Sequence, residues 1–326
     1  MKRIASFDLI RALAIFGIVL SHLFLTGEGS FVHAMGKWLG ATFTAVFLGL
    51  SALILGSSWI GKGRPVYGGR FFFHRVSRLA VPYWLFLTAF LLVAYGMGQA
   101  FPWKDVVMNY VFLGWLAKIP GIGHLWFVTM VVICYAACMA VSRLFAVRWG
   151  RKVFPWALAV GCGVLYAVLF RYGFPAYMAL ILFYYSLLFA YADRILGWLQ
   201  RHGRTMVLWG VPILLAMTAG LFLSGILTSG KENWIVCGCS LCGIAILLLL
   251  QTLFAGIADC PRALSAISGI SYEWYLVHHP MVIGPVALVH FLHPWPFAVL
   301  CYWVLSLACA FLLHFLSSLV YKLTRA

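Results

Sequence analysis

The chain has 326 residues, of which 64% are hydrophobic and 9% charged. Soluble globular domains carry about 45–50% apolar and about 25% charged residues. This composition therefore excludes an ordinary soluble enzyme, a disordered protein and a coiled coil, and indicates a polytopic membrane protein. The formal net charge of +16, from 23 Lys and Arg against 7 Asp and Glu, reads as loop charge that sets topology rather than as a nucleic-acid surface.

An apolar helix crosses a bilayer in about 20 residues. Ten such runs follow one another: 7–25, 38–60, 79–98, 124–143, 154–170, 174–191, 206–227, 234–257, 270–290 and 296–321. The first lacks a small-residue cleavage site and is expected to remain as a span rather than leave as a signal peptide. The fifth and sixth meet at 171–173, where Gly173 and Pro175 predict a break. The loop 99–123 carries Trp103, Tyr110, Phe112 and Trp115 and is expected to lie on the membrane surface as a short amphipathic or re-entrant helix. The expected fold class is all-α, an integral membrane protein of about ten transmembrane helices. It is expected to form one domain over residues 1–326, with no appended soluble domain.

Basic residues orient the spans. With a cytoplasmic N-terminus, the inside segments take Lys2, Arg3, the cluster Lys62 to Arg78, three further basic loops, Lys322 and Arg325. The outside segments take only Lys37, Lys104, Lys118, Arg171 and Lys231. This bias predicts that both termini are cytoplasmic. The nine Cys lie mostly within apolar runs and are expected to pack rather than pair.

Ionisable groups within spans are costly and mark candidate sites. On the first helix, Arg11 and His22 are eleven residues apart, so at about 100° and 1.5 Å per residue they share one face and lie about 16 Å apart along the axis. Asp8, one turn before Arg11, can pair with it; alternatively the two form only an interfacial ion pair, with Arg11 snorkelling. Arg75 and Arg78, three residues apart before the third span, suit bidentate binding of a cytosolic cofactor's phosphates. On spacing alone, topology and anionic lipid headgroups explain them better. His124-Leu125-Trp126-Phe127 opens the fourth span. The ninth contains Ser271, Glu273, Tyr275, His278, His279 and Pro280. These residues fit either an enzyme tunnel or the proton relay of a transporter. His314 in the last span is expected to pack. The run Cys237-Gly238-Cys239-Ser240-Leu241-Cys242 has the look of a metal motif but no second ligand pair, so no metal is expected. The glycine-rich stretch 61–69 does not match a P-loop.

Four separated segments together resemble the membrane acyltransferase-3 family. Arg11 and His22 match its arginine–ten residues–histidine motif, within Ser6-Phe7-Asp8-Leu9-Ile10-Arg11. Arg75 and Arg78 match its Arg-x-x-Arg motif, followed by Leu79-Ala80-Val81-Pro82-Tyr83. His124-Leu125-Trp126-Phe127 and the late Ser271-Tyr272 through Tyr275-Leu276 and His278 resemble two further family segments. One departure is Ala52, which stands where the family often has glycine after Ser51.

The resemblance implies transfer of an acyl group, acetyl by default, from cytosolic acetyl-CoA or another acyl-CoA to a hydroxyl of an exported glycan or related small molecule. In that reading His22 is the general base, Asp8 holds Arg11, and Arg75, Arg78 and Arg11 meet the donor. His124, Trp126, Ser271, Glu273, Tyr275 and His278 are second-rank candidates for acceptor contacts, proton relay or oxyanion stabilisation. The resemblance also implies a bacterial inner membrane and contact with its lipids. The family's frequently fused extracellular hydrolase-like domain is expected to be absent, so the resemblance implies that the chain acts alone or with a separate extracytoplasmic partner protein. The alternative from the residues alone is a transporter or flippase for a small polar or lipid-linked substrate.

Overall fold

The computed structural model describes residues 4–324 other than 118. Lys2, Arg3, Lys118 and Arg325, used above for topology, lie outside the described residues. Every regular element among the described residues is a helix, as the apolar runs require. Eight helical segments are long and apolar enough to cross a bilayer. These are α1 (Ala5–Leu25), α2 (Ser30–Gly61), α3 (Gly69–Gly96), Gly123–Ala146, α6 (Gly150–Arg171), α8 (Ala192–Leu223), α9 (Glu232–Leu253) and α12 (Trp295–Leu323). Gly123–Ala146 joins a one-turn 3-10 segment to α5 (Trp126–Ala146). A further apolar helix, α7 (Tyr177–Ala190), has 14 residues. The expected break between the fifth and sixth runs falls between α6 and α7, with Gly173 at φ +72°. The loop 99–123 contains the short α4 (Trp103–Tyr110).

The run 270–290 is not one helix. It forms α11 (Ser271–His278), a single 3-10 turn (His279–Met281) and an irregular segment. Pro280 is the physical reason: it has no N–H to donate to the Leu276 carbonyl and so cannot continue the α-helix. A short α10 (Arg262–Gly269) precedes it. The third run also differs from expectation, because α3 begins ten residues before residue 79 and takes in the whole arginine cluster. The last expected inside–outside crossing before α9 is part of the longer α8, which bends at His202 (φ −119°, ψ 20°).

The chain divides into two compact units, Met1–Gly69 with Cys134–Ser268, and Arg70–Ile133 with Gly269–Ala326. In the first, α2 is the hub and packs on α1, α7, α8 and α9. Close approach is possible because small residues line it: a Cβ on Gly243 of α9 would sit 2.4 Å from the Thr42 carbonyl of α2. Cys239 of the cysteine-rich run packs with Ala34, Leu227 and Ile235. The loop after α2 is tied down within the same unit. Trp59 Nε1 donates to the Pro65 carbonyl at 2.8 Å, and the Tyr67 N–H donates to Ser142 Oγ at 2.9 Å. In the second unit, α11 packs on α12.

Candidate functional site

In the second unit α11 is held from two sides. Trp274 Nε1 donates to Ser306 Oγ of α12 at 3.0 Å, and the Tyr272 hydroxyl donates to the Leu79 carbonyl of α3 at 3.2 Å. This fixes the four polar side chains that follow. The Tyr275 hydroxyl donates to the His124 carbonyl, and His124 Nε2 lies 3.1 Å from the Leu276 carbonyl, so the two segments bind each other reciprocally. The His124 and His279 rings stack at 4.4 Å and 16°. His278 completes the group, its ring 5.6 Å from His124 and 5.8 Å from Tyr275. All four residues are buried.

Carbonyl oxygens only accept hydrogen bonds, so each ring nitrogen facing one carries the proton. His278 Nδ1 donates to Trp274 O at 3.1 Å, and His279 Nδ1 donates to Gly121 O at 2.7 Å. In the neutral rings the basic nitrogen is therefore Nδ1 of His124 and Nε2 of His278 and His279. The cluster thus holds three imidazoles, each with one ring nitrogen oriented by a backbone carbonyl, in ring contact with one another and with a phenol. Among the described residues no group of three His, Cys, Asp or Glu has the geometry to hold a metal ion.

The other candidates in this unit are placed separately. Glu273 is buried on α11 and its Oε1 lies 2.9 Å from His314 Nδ1 of α12, which is half exposed. The expectation that His314 merely packs is therefore corrected: it is the partner of an acid 41 residues away, a relation that no local spacing reveals. Ser271 is buried at the start of α11, and Trp126 is partly buried beside Phe127. Arg75 and Arg78 sit on the first half of α3, partly buried and exposed respectively, with the Arg75 guanidinium 5.8 Å from the centre of the Phe71 ring.

In the first unit, α1 runs unbroken from Ala5 to Leu25, so Arg11 and His22 keep the shared face their spacing predicts. Both are partly buried. Asp8 is buried and accepts a hydrogen bond from Ser268 Oγ at 2.7 Å. Ser268 is a contributor that the sequence did not reveal. It stands 260 positions away, at the end of α10, a helix too short to be anticipated. Replacing Ser268 by alanine is expected to destabilise the protein by about 1.5–3 kcal/mol, the range for a hydrogen bond to a charged group. Chemical or thermal unfolding in detergent checks this, and an unchanged midpoint would remove the bond from the account of Asp8.

Of the residues singled out in the sequence, Asp8, Arg11 and His22 thus belong to the first unit. Arg75, Arg78, His124, Trp126, Ser271, Glu273, Tyr275 and His278 belong to the second. Within the second unit the structure gathers His124, Tyr275, His278 and His279, all four of them named from the sequence.

Comparison with known proteins adds one finding. No curated protein and no solved structure matches the chain. A family model described as an acyltransferase domain matches residues 4–315 and so takes in both sets of candidate residues. The chain belongs to the acyltransferase-3 family and carries a membrane acyltransferase domain over nearly its whole length.

Proposed function

We propose that this protein transfers an acyl group, acetyl by default, from cytosolic acyl-CoA to a hydroxyl of a cell-surface or exported glycan or related metabolite. The observation that carries the reading is the unbroken α1, which keeps Arg11 and His22 on one face about 16 Å apart along the helix. That separation suits a donor handled near one side of the membrane and an acceptor near the other. In the transfer the acceptor oxygen bonds to the acyl carbon and the thioester C–S bond breaks. His22 takes the acceptor's hydroxyl proton, and the coenzyme A thiolate is released to be protonated. Whether one step or an acyl-enzyme connects donor and acceptor does not alter this balance.

The remaining assignments follow from the same reading. The positive-inside reading of the loops places Arg75 and Arg78 at the inner face. There the partly buried Arg75 and the exposed Arg78, at i, i+3 spacing, fit the phosphates of coenzyme A. Arg11 meets the donor from within the membrane. The histidine cluster of the second unit serves as a proton relay or acceptor contact. The protein resides in a bacterial inner membrane and can act with a separate extracytoplasmic protein.

Donor binding is the direct test. A ligand that binds only the folded state stabilises it by about 2.7 kcal/mol at a hundredfold excess over its dissociation constant. Acetyl-CoA is expected to raise the melting temperature of the detergent-purified chain, and Arg75→Ala/Arg78→Ala is expected to remove that rise. No shift at saturating acetyl-CoA in a folded protein would overturn the donor and favour transport instead.

A further inference from the structure

Pro82 lies inside α3, four residues after Arg78. It has no N–H, so the Arg78 carbonyl loses its helical partner, and the proline ring crowds that same carbonyl. A backbone carbonyl that has lost its helical N–H needs another donor. The hydrogen bonds come instead from other helices of the same unit. The Tyr321 hydroxyl, near the end of α12, lies 2.8 Å from Arg78 O and 3.2 Å from Ser77 O. The Tyr272 hydroxyl of α11 donates to Leu79 O at 3.2 Å. Two phenols therefore cover three successive carbonyls at the point where the ladder is interrupted. The nearer distance is that of an ordinary O–H···O bond.

The residues just before this point are Arg75 and Arg78. We infer that Tyr321, supported by Tyr272, is a positioning residue: its hydroxyl sets the direction of the α3 segment that precedes Pro82 and thereby aims the Arg75/Arg78 guanidinium pair. The inference rests on the reading of that pair as the acyl-donor phosphate site. Bidentate guanidinium–phosphate contacts are directional, so a small swing of the segment misaligns them. The bonded carbonyl belongs to Arg78 itself, and Arg75 lies one turn earlier on the same side of the helix, so both move with the segment. A tyrosine that served only to hold α12 on α3 would affect melting but not the affinity of the folded protein for its donor.

The test uses the full chain in detergent, with acetyl-CoA as the probe and its dissociation constant as the readout below the melting transition. Tyr321→Phe removes only the hydroxyl. It is expected to weaken acetyl-CoA binding by about five- to tenfold, the equivalent of one hydrogen bond. Pro82→Ala restores an N–H at position 82 that can take the Arg78 carbonyl. In that background Tyr321→Phe is expected to weaken binding no further, and Tyr272→Phe to act in the same sense as Tyr321→Phe but more weakly. Arg75→Ala/Arg78→Ala is the reference for the site. Loss of binding in that reference with wild-type binding in Tyr321→Phe would overturn the positioning role. So would an equal loss from Tyr321→Phe with and without Pro82, because the hydroxyl would then act elsewhere than on the freed carbonyl. Unchanged binding in the arginine variant overturns the donor-site reading itself. That failure stays distinguishable, because coupling between Tyr321 and Pro82 in the ligand-free melting temperature does not depend on coenzyme A.

Discussion

Replacing His22 by alanine is expected to lower acyl transfer by about 10²–10⁴-fold, the usual contribution of a positioned general base. The same change is expected to leave acetyl-CoA binding near that of the parent protein. The argument is one of separation along α1. Arg11 and His22 share a face, but about 16 Å of continuous helix lies between them, so the loss of the imidazole does not reach a donor handled at the Arg11 end. His22 is also only partly buried, so its truncation opens no large cavity. The measurement is acyl incorporation into the cell envelope of cells expressing either protein, with the acetyl-CoA melting shift of each purified protein as the control for folding. Transfer at the parental rate in a variant that still binds donor would remove His22 as the base and turn attention to His124, His278 and His279.

A second large effect is expected at a position with no ionisable group. Gly284 has φ +104°, a conformation that L side chains rarely adopt, and a Cβ there would lie 2.4 Å from Gly121 Cα and 2.7 Å from Gly121 N. Both atoms are backbone, so no side chain can rotate out of the way. Gly121 is itself at φ +87°, and its carbonyl is the acceptor for His279 Nδ1. Three residues later comes His124, stacked on His279. Gly284→Ala must therefore displace the strand of loop that carries one imidazole and orients another. The expected cost is about 2–4 kcal/mol of stability, combining backbone strain with overpacking, together with loss of acyl transfer. Gly123→Ala is the matched control. Nothing lies within 4 Å of a Cβ at that position, and the change is expected to fall within about 0.5 kcal/mol of the parent. Equal melting temperatures for the two variants would show that the Gly121–Gly284 contact does not hold the histidine cluster.

How far the sequence could be read differs from one feature to another. The α1 motif was fully legible, because eleven residues of uninterrupted helix is a local matter that periodicity settles. The break near Gly173 was legible for the same reason. The run 270–290 reads as one span in the sequence but is not one helix in the structure. Its mean hydropathy suits a span, whereas the backbone needs at Pro280 end the helix at His278. The span read at 79–98 is the apolar part of a helix that starts at Gly69, since a basic segment such as 70–78 lowers mean hydropathy without lowering helix propensity.

Composition and periodicity alone determined the all-helical membrane class and most span positions, because burial in lipid is a property summed over about 20 adjacent residues. Only the tertiary structure decided the partners: Ser268 for Asp8, His314 for Glu273, Tyr321 for the Arg78 carbonyl, and the Gly121–Gly284 contact behind the histidines. Three of these are hydrogen bonds between segments 41 to 260 residues apart, and the last is a contact of two backbones. Each depends on which helix packs beside which, and nothing in the local pattern of either segment encodes the other's position.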